Sequence, residues 1–344
     1  MPRIRYCLPF GPIAMNDSQI MKISITGASG FIGKLLLNQL SSTQHAVSIL
    51  TRKEADAGPG VSCIRGDLLK EDAALHAFAD GSDVILHCAG EIKDESLMQQ
   101  LHVDGTRHLL RAVSASIKQH GKPVHWVQLS SVGAYGLDGA GSQSGRTITE
   151  DSQEQPVGMY EVTKTASDQL VREFAAQEPL FSYTIVRPTI VIGSNMPNQS
   201  FHAMARMIKR GAFFRIGRRQ AIATYVLVDD VVRALLQCIS DRRAHGKVFI
   251  VANDCPLDQV IDALALAMQV AAPKLILPEA PLRLLVKLTA PWLKLPLTTA
   301  RIDALTRKTH YSSSLIGSTL GFSPSESVPQ SILQLINDSS DRLK

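Results

Sequence analysis

Two residues that can transfer protons lie four positions apart in the stretch MYEVTK, residues 159–164. On an α-helix, residues i and i+4 share a face, so the phenol of Tyr160 would lie beside the ammonium of Lys164. Lowering a phenol pKa from about 10 by about three units requires roughly 4 kcal/mol, and one charge about 4 Å away in a partly screened site supplies about that much. The pair therefore has two interpretations: a general base assisted by a lysine, or an ordinary solvated helix surface, which is the commoner case for this spacing taken alone.

Short β-branched runs alternate with amphipathic segments of helix length from Lys22 onward, which is typical of a parallel sheet with crossover helices. The pattern predicts an α/β fold, a Rossmann doubly wound parallel sheet of about seven strands. The predicted strands are 22–26, 46–50, 61–64, 83–87, 125–130, 183–188 and 247–252.

The alternation fades in two later parts of the chain, where Pro, Met, Leu and Arg dominate, and these parts predict a smaller substrate-binding subdomain. The predicted organisation is a disordered leader at 1–20, a dinucleotide-binding domain at 21–190 that 224–253 completes, a substrate-binding subdomain at 191–223 and 254–330, and a tail at 331–344.

The composition excludes several classes of protein. With 45% hydrophobic and 19% charged residues the chain is typical of a folded protein, and its basic excess is spread without basic runs interleaved with aromatics, which argues against nucleic acid as a partner. The five cysteines are scattered without metal-ligand spacing, so we expect a reduced, cytoplasmic location and no metal site. No apolar run reaches the roughly twenty residues of a transmembrane helix.

A glycine-rich turn follows the first predicted strand. Gly27, Gly30 and Gly33 lie in TGASGFIG, directly before the helix-forming segment KLLLNQL. Glycines at this place let the chain turn tightly and let backbone amides approach a pyrophosphate, while the helix N-terminus supplies partial positive charge. The turn therefore predicts a dinucleotide site.

The end of the second predicted strand bears on the choice between NAD and NADP. Enzymes that prefer NAD place an acidic residue there for the ribose 2′-hydroxyl, whereas an arginine accommodates a 2′-phosphate. This chain has Thr51 followed by Arg52, which favours NADP over NAD. After the third strand, Asp67 has two interpretations: it accepts a hydrogen bond from the adenine amino group, or it caps a helix that begins there.

The motifs TGASGFIG, GDL, LSSVGAYG and YEVTK, in that order, resemble the extended short-chain dehydrogenase/reductases, which include NAD(P)-dependent sugar epimerases and dehydratases, 3β-hydroxysteroid dehydrogenases and dihydroflavonol reductases. The likeness runs from about Lys22 to about Phe322. It implies homodimers and a catalytic triad of Ser131, Tyr160 and Lys164, with Ser130 as the alternative to Ser131. The cofactor contacts that it implies are Gly27, Ser29, Gly30, Phe31, Ile32, Gly33, Arg52, Asp67, Leu68, Ala89, Lys164 and Pro188.

Three residues near the predicted cofactor site need an interpretation. One differs from the residue that the family usually has, and two are of types that can bind metals or act in catalysis. His102 stands where the family usually has an asparagine, and we expect it to have a structural role rather than to act in a proton relay. His87 and Cys88 end the fourth strand, and we interpret both as core residues, because Cys88 has no base nearby in sequence.

Two other departures concern the substrate. Nucleotide-sugar epimerases clamp a pyrophosphate with an arginine before the late strand and carry an asparagine after the Arg-Pro strand. Ala223 and Ile190 stand at those positions, which favours the steroid and flavonol branches with apolar substrates. Three arginines just before the late strand have two interpretations: they replace the missing clamp, or they form a solvated basic loop. They are Arg215, Arg218 and Arg219.

The Leu-rich segment 275–297 also has two interpretations. Arg283, Lys287 and Lys294 would share one helix face, which predicts a basic amphipathic surface for peripheral membrane contact or a lipid-linked substrate. The alternative, which we favour, is a lid over the substrate pocket.

The sequence as a whole predicts an NAD(P)-dependent oxidoreductase that interconverts a secondary alcohol and a ketone on a small-molecule, apolar or lipid-linked substrate. The alternative enzyme is a nucleotide-sugar epimerase, dehydratase or 4-keto reductase. A non-catalytic cofactor-binding protein is a third hypothesis, but such a protein would need the glycine turn and not the triad.

Overall fold

The computed structural model describes residues 20–53, 58–136, 145–217, 220–289 and 297–338. Most of the predicted leader, the end of the predicted tail, Arg218, Arg219 and Lys294 lie outside the described residues. In chain order the strands are β1 (Lys22–Thr26), β2 (Ala46–Thr51), β3 (Val61–Arg65), β4 (Val84–His87), β5 (Val124–Leu129), β6 (Thr147–Ile148), β7 (Phe181–Pro188), β8 (Ile190–Ile192), β9 (Arg215–Ile216), β10 (Ile222–Ala223), β11 (Tyr225–Leu227), β12 (Lys247–Val251), β13 (Cys255–Pro256), β14 (Ile276–Leu277) and β15 (His310–Tyr311).

The helices provide the remaining regular structure of the described chain. They are α1 (Phe31–Leu40), α2 (Ala73–Ala79), α3 (Glu95–Met98), α4 (Gly105–His120), α5 (Met159–Gln177), α6 (Gln199–Lys209), α7 (Val228–Ser240), α8 (Leu257–Ala267), α9 (Glu279–Thr289), α10 (Thr299–Thr306), α11 (Ser314–Leu320) and α12 (Val328–Asp338). Shorter turns of π- or 3₁₀-helix lie at Gln99–Asp104, Val132–Tyr135 and Arg242–Ala244. Within the described residues, no helix is long and apolar enough to cross a membrane.

Seven strands form one sheet in the order β12-β7-β5-β4-β1-β2-β3, and the pairs β4–β5, β4–β1, β1–β2 and β2–β3 are parallel. The chain order reverses between β1 and β4, as in a doubly wound fold. The predicted fold class is therefore confirmed, and the seven predicted strands agree with the observed ones to within about two residues at each end.

The chain divides into two compact units, and each has its own core. Unit 1 contains Met1–Leu129, Ala166–Ile185 and Val232–Lys247. Its largest buried side chains, Trp126 and Phe78, belong to an apolar cluster to which α4 contributes a continuous face. Helix α4 ends at Gly121, whose φ of 61° is a left-handed conformation that glycine adopts easily.

Unit 2 contains Ser130–Thr165, Val186–Val231 and Val248–Lys344. In the described part of this unit, two-stranded sheets join segments that are far apart in the chain: β6–β15, β8–β11, β9–β14 and β10–β13. The two units are defined by how compactly their residues pack. The domains predicted from the sequence are defined instead by cofactor and substrate binding, and they stay a prediction.

Candidate active site

The glycine turn after β1 leaves no room for side chains at two positions. Gly27 has a φ of 72°, and a Cβ there would lie 2.6 Å from the backbone nitrogen of Ala89. A Cβ on Gly33 would lie 2.1 Å from the carbonyl oxygen of Gly27. The turn therefore packs directly on the end of β4 and on the first turn of α1, as the spacing of the glycines predicts.

The N-terminus of α1 is suited to an anion. Gly30 is the N-cap and offers no side chain to the first amides, and no acidic residue lies in the first turn. Ser29 and Gly30 are exposed, while Phe31 and Ile32 are half-buried. Since the first amides of a helix lack intrahelical acceptors, this end can receive a pyrophosphate, and the residues present fit a dinucleotide.

The ends of β2 and β3 carry the other predicted cofactor residues of unit 1. Arg52 is exposed, and the hydroxyl of the preceding Thr51 donates to the carbonyl of Lys53 at 2.7 Å. Asp67 accepts from the amide of Leu69 at 3.1 Å, within a tight turn. Leu68 is buried, and its carbonyl is bonded by His108 at 2.9 Å.

The capping interpretation of Asp67 is wrong, because no helix begins there. Helix α2 begins at Ala73, and Asp72 caps it by accepting from the amides of Ala74 and Leu75, both at 3.1 Å. The adenine interpretation of Asp67 stays a prediction.

A chain of buried polar side chains connects β1, β4, α4, α5 and β5 within unit 1. The ring of His87, which is 1% exposed, lies between the hydroxyls of Thr26 (Nδ1, 2.8 Å) and Thr106 (Nε2, 3.1 Å). Thr106 is 2.8 Å from the hydroxyl of Ser167 on α5, which in turn accepts from Gln128 at 2.8 Å. His87 is therefore a core residue, as the sequence predicts, and it also makes hydrogen bonds that were not predicted.

The partners of this polar chain determine where its protons lie. Thr106 donates to the carbonyl of His102 at 2.6 Å, so its oxygen must accept from both His87 Nε2 and Ser167. His87 then carries its proton on Nε2, and Nδ1 accepts from Thr26. Thr26 in turn accepts from the amide of Ala89 at 3.3 Å. With His87 neutral, each of these bonds has one donor and one acceptor.

His102 forms a hydrogen bond with the backbone, as the expected structural role requires. It is 1% exposed, and its Nε2 accepts from the amide of Glu91 at 2.9 Å. An acceptor Nε2 requires a neutral ring with the proton on Nδ1. His102 therefore holds the loop after β4, and this contact favours the structural role.

Unit 2 contains all three predicted triad residues. Lys164 is only 5% exposed, while Tyr160, one turn earlier on α5, is half-buried. Ser131 is half-buried, and its Oγ accepts from the amide of Gly133 at 3.1 Å. The neighbouring Ser130 is 4% exposed, so it is the less accessible of the two serines.

Two glycines bring the serine loop against the first turn of α5. A Cβ on Gly133 would lie 2.5 Å from Cγ of Glu161, the residue after Tyr160, and 3.4 Å from Oγ of Ser131. A Cβ on Gly158 would lie 2.3 Å from a carboxylate oxygen of Glu161. The loop that carries Ser131 therefore packs beside the turn that carries Tyr160.

A buried arginine that the sequence analysis overlooked lies behind this loop. Arg187 is fully buried next to Pro188 at the end of β7, and its Nη2 bonds Glu154 at 2.7 Å. Its guanidinium lies 5.0 Å from the ring centroid of Tyr135, whose pKa is raised by desolvation, although Arg187 opposes that shift. The available signal was a charged residue within an otherwise apolar buried strand, which requires a partner.

Arg215 does not fit the role of a pyrophosphate clamp. It is 5% exposed, its Nη atoms bond Asp258 and Asp262, and its Nε donates to the carbonyl of Pro273 at 3.0 Å. These contacts occupy the guanidinium, so both predicted alternatives for Arg215, the clamp and the solvated loop, are wrong. Ile190 is 41% exposed at the start of β8.

Asp230 lies in the first turn of α7, is fully buried and accepts from the amide of Ser325 at 3.0 Å. One further expectation from the sequence needs correction. Arg283 does not belong to an exposed basic face with Lys287, because it is partly buried and bonds Glu279 at 2.8 Å and Asp303 at 2.6 Å.

Comparisons with known proteins agree with this architecture. The human sterol-4-alpha-carboxylate 3-dehydrogenase, decarboxylating, is 25% identical over 253 residues, which are 71% of this chain and 65% of that protein, just under two thirds of its length. The UDP-glucose 4-epimerase of Vibrio cholerae is 24% identical over 260 residues, which are 72% of this chain and 75% of that protein. The structure of RMD from Pseudomonas aeruginosa complexed with NADPH has a TM-score of 0.67 at 22% identity, with 94% of this chain and 100% of that chain covered, and shows the same fold.

Family membership follows from a longer match. The sequence profile of one family covers residues 23–252, from β1 to just beyond β12, which is well over half of the chain. This chain therefore belongs to the NAD dependent epimerase/dehydratase family.

Proposed function

We propose that this chain is an NAD(P)-dependent oxidoreductase that interconverts a secondary alcohol and a ketone, with Ser131, Tyr160 and Lys164 as its proton-transfer residues. The observation that carries the proposal is the burial of Lys164, at 5% exposure, one helical turn from the half-buried Tyr160. Burying a lysine ammonium costs free energy, so a buried lysine is expected to have a role. Stabilising the phenolate of a tyrosine on the same helix face is such a role.

The proposed chemistry assigns each residue one task. The dinucleotide supplies or accepts the hydride when it is bound. Tyr160 moves the hydroxyl proton of the substrate, and the Lys164 ammonium favours the phenolate form that can accept it. Ser131 already accepts the Gly133 amide, so its own O–H remains for the substrate oxygen, which it holds in line with Tyr160.

The proposed substrate is apolar over much of its surface. Ala223 and Ile190 offer no charge, and Arg215 is occupied by Asp258 and Asp262. A nucleotide sugar brings a pyrophosphate that needs cationic or amide partners, and none of these three residues provides one.

A nucleotide-sugar epimerase is the second candidate, and the Vibrio cholerae relative is the observation that favours it. Epimerisation can be distinguished from the proposed oxidoreduction, because epimerisation returns the cofactor to its starting form and gives no net change in NAD(P)H absorbance. Net oxidation or reduction of the cofactor with a secondary alcohol or ketone supports our proposal.

Tyr160→Phe tests the proposal. A panel of apolar secondary alcohols and ketones is assayed by cofactor absorbance, and the best substrate is then used with the variant. Loss of general acid–base catalysis is expected to lower kcat about 10²–10⁴-fold. Binding of NADPH, measured by fluorescence, is expected to stay within a factor of about two, since the phenol acts on the substrate.

Tyr183→Phe is the matched control, because Tyr183 lies on β7 in unit 1 and belongs to no predicted site. It is expected to keep wild-type turnover. Full turnover by Tyr160→Phe would contradict the triad, whereas loss of turnover by both variants would indicate a general structural effect.

A further inference from the structure

Helix α9 in unit 2 is apolar on both sides. Its inner side packs Val286, which is 4% exposed, against Ile216 and Ile302. Its outer face, defined here as Ala280, Pro281, Leu284, Leu285 and Leu288, is exposed and carries no polar side chain. Leu284, Leu285 and Leu288 are 59%, 54% and 65% exposed. A surface helix normally turns its charged residues outward, so an exposed apolar face of this kind indicates a surface that binds a partner or a membrane.

Short strand β14 leads into α9 and continues the apolar character. Leu275 and Ile276, directly before the helix, are 59% and 43% exposed. Lys274 precedes them and Lys287 lies at the rim of the outer face, and both are exposed. In the described part of the chain neither lysine forms an ion pair, whereas Arg283 is turned inward to Glu279 and Asp303.

We propose that the outer face of α9, with Leu275, Ile276, Lys274 and Lys287, docks on an anionic phospholipid surface. Exposed leucines can enter the boundary between lipid headgroups and acyl chains, and exposed lysines at the rim can bind anionic headgroups. The proposal does not depend on the proposed reaction, because it rests on a different part of unit 2.

Charge complementarity favours lipid over a second copy of this chain. A two-fold contact brings the same patch of both copies together. This patch has lysines and aliphatic side chains, and the carboxylate nearest to it in the chain, Glu279, already bonds Arg283. A copy therefore offers the lysines no acidic partner within the patch. Anionic headgroups offer both the acceptor and the apolar layer beneath it.

Vesicle flotation of the full chain tests the proposal. We expect the protein to float with phosphatidylcholine vesicles that contain phosphatidylglycerol, and to be released as salt rises. Leu284→Ser with Leu288→Ser is expected to weaken binding at least about tenfold, because the apolar anchor is lost. Lys274→Gln and Lys287→Gln are each expected to weaken it roughly fivefold.

Leu97→Ser with Leu180→Ser is the matched control, since both leucines are exposed, at 39% and 38%, and belong to unit 1. It is expected to bind vesicles as the wild type does. All these positions are on the surface, so circular dichroism is expected to show unchanged folding.

Three results would overturn the proposal. The first is failure of the wild type to float with anionic vesicles at low salt, and the second is equal flotation by the Leu284→Ser with Leu288→Ser variant. The third is found by light scattering: if that double variant converts a dimer to a monomer, the outer face of α9 joins two copies of the chain instead.

Discussion

Units 1 and 2 differ in how they use polar and apolar side chains. In the described part of the chain, unit 1 buries a polar chain in its centre and exposes these large hydrophobic residues: Ile20, Ile92, Leu97 and Leu180. Unit 2 exposes Val157, Met159, Val162, Ile190, Met207, Leu266, Leu275, Ile276, Leu284, Leu285, Leu288 and Leu333. Within the described residues, hydrogen bonds between buried polar side chains add to the apolar core of unit 1. Unit 2 exposes more apolar side chains, and contacts between distant segments add to its smaller apolar clusters as a means of stabilisation.

Ion pairs between distant segments are one such means, so their removal should affect unit 2 strongly. Arg215→Met leaves Asp258 and Asp262 without their shared cation. Because the side chains of Asp258 and Asp262 are 23% and 55% exposed and so partly hydrated, we expect a cost of about 2 kcal/mol. Urea unfolding is expected to show this loss. Arg215→Lys should restore it only in part, because an ammonium lacks the planar fork that bonds two carboxylates.

An exposed ion pair of unit 1 provides the control for that experiment. Arg243 bonds Asp241 at 2.6 Å, but its side chain is 65% exposed. Arg243→Met is therefore expected to leave the urea midpoint unchanged. Equal effects of Arg215→Met and Arg243→Met would contradict the contrast between the units.

The polar chain of unit 1 should be sensitive to a change that preserves its shape. Thr106→Val removes the acceptor of His87 Nε2–H and of Ser167, at the cost of about 2 kcal/mol for buried donors left without partners. Thr106→Ser keeps the hydroxyl and is expected to keep most of the stability. The measurement is urea unfolding, with ¹⁵N NMR of the His87 ring as a direct check.

That NMR measurement also tests the proton assignment. The wild type is expected to show His87 as the neutral form protonated on Nε2. A ring that carries its proton on Nδ1 would contradict the assigned direction of the hydrogen bonds.

Much of unit 1 was predictable because its constraints are local. The β-branched runs follow from side-chain shape, and Gly33 is required by its close approach to Gly27, six residues earlier in the same turn. The motif order also predicted the family, which is confirmed. The network around His87 was missed because its members come from five separate elements, and nothing in the sequence states which of them meet.

Unit 2 was less predictable because its contacts join distant segments. Glu150 accepts from the amide of Ile250 at 2.8 Å, and its pKa is raised by burial. Arg215 meets Asp258, 43 positions away, although the sequence analysis placed it in a ligand site or in solvent. Strands of two or three residues carry no period-2 pattern, so their pairing is specified by tertiary packing.

The stacked histidines of unit 1 predict a dependence of stability on acid. His125 stacks on His245 with ring centroids 3.9 Å apart, and burial lowers its pKa to about 3, helped by the charge of His245. The unfolded chain takes up this proton near pH 6.5, so stability is complete above that pH. It falls by about 1.4 kcal/mol per unit as the pH drops toward the folded-state pKa.

The opposite shift occurs in unit 2 and must be separated from it. Burial raises the pKa of Asp254 to about 6. The folded state therefore binds this proton more tightly than the unfolded chain does, and the folded protein gains stability as the pH falls below about 6. The difference between wild type and His125→Gln isolates the histidine. That difference, measured by urea unfolding at about pH 7.5 and pH 5, should shrink as the wild type loses its advantage; a constant difference would contradict the shift.

The smallest expected effect concerns the exposed end of β2. Arg52 is exposed at the edge where the glycine turn lies, and a 2′-phosphate would gain a charge-assisted bond from it. Arg52→Ala is expected to weaken NADPH about tenfold in a fluorescence titration, while NADH changes little. Lys118→Ala, which removes an exposed cation near the end of α4, is expected to change neither affinity. Equal losses of NADPH and NADH affinity would mean that Arg52 does not read the 2′-phosphate, and that cofactor choice depends on another residue of unit 1.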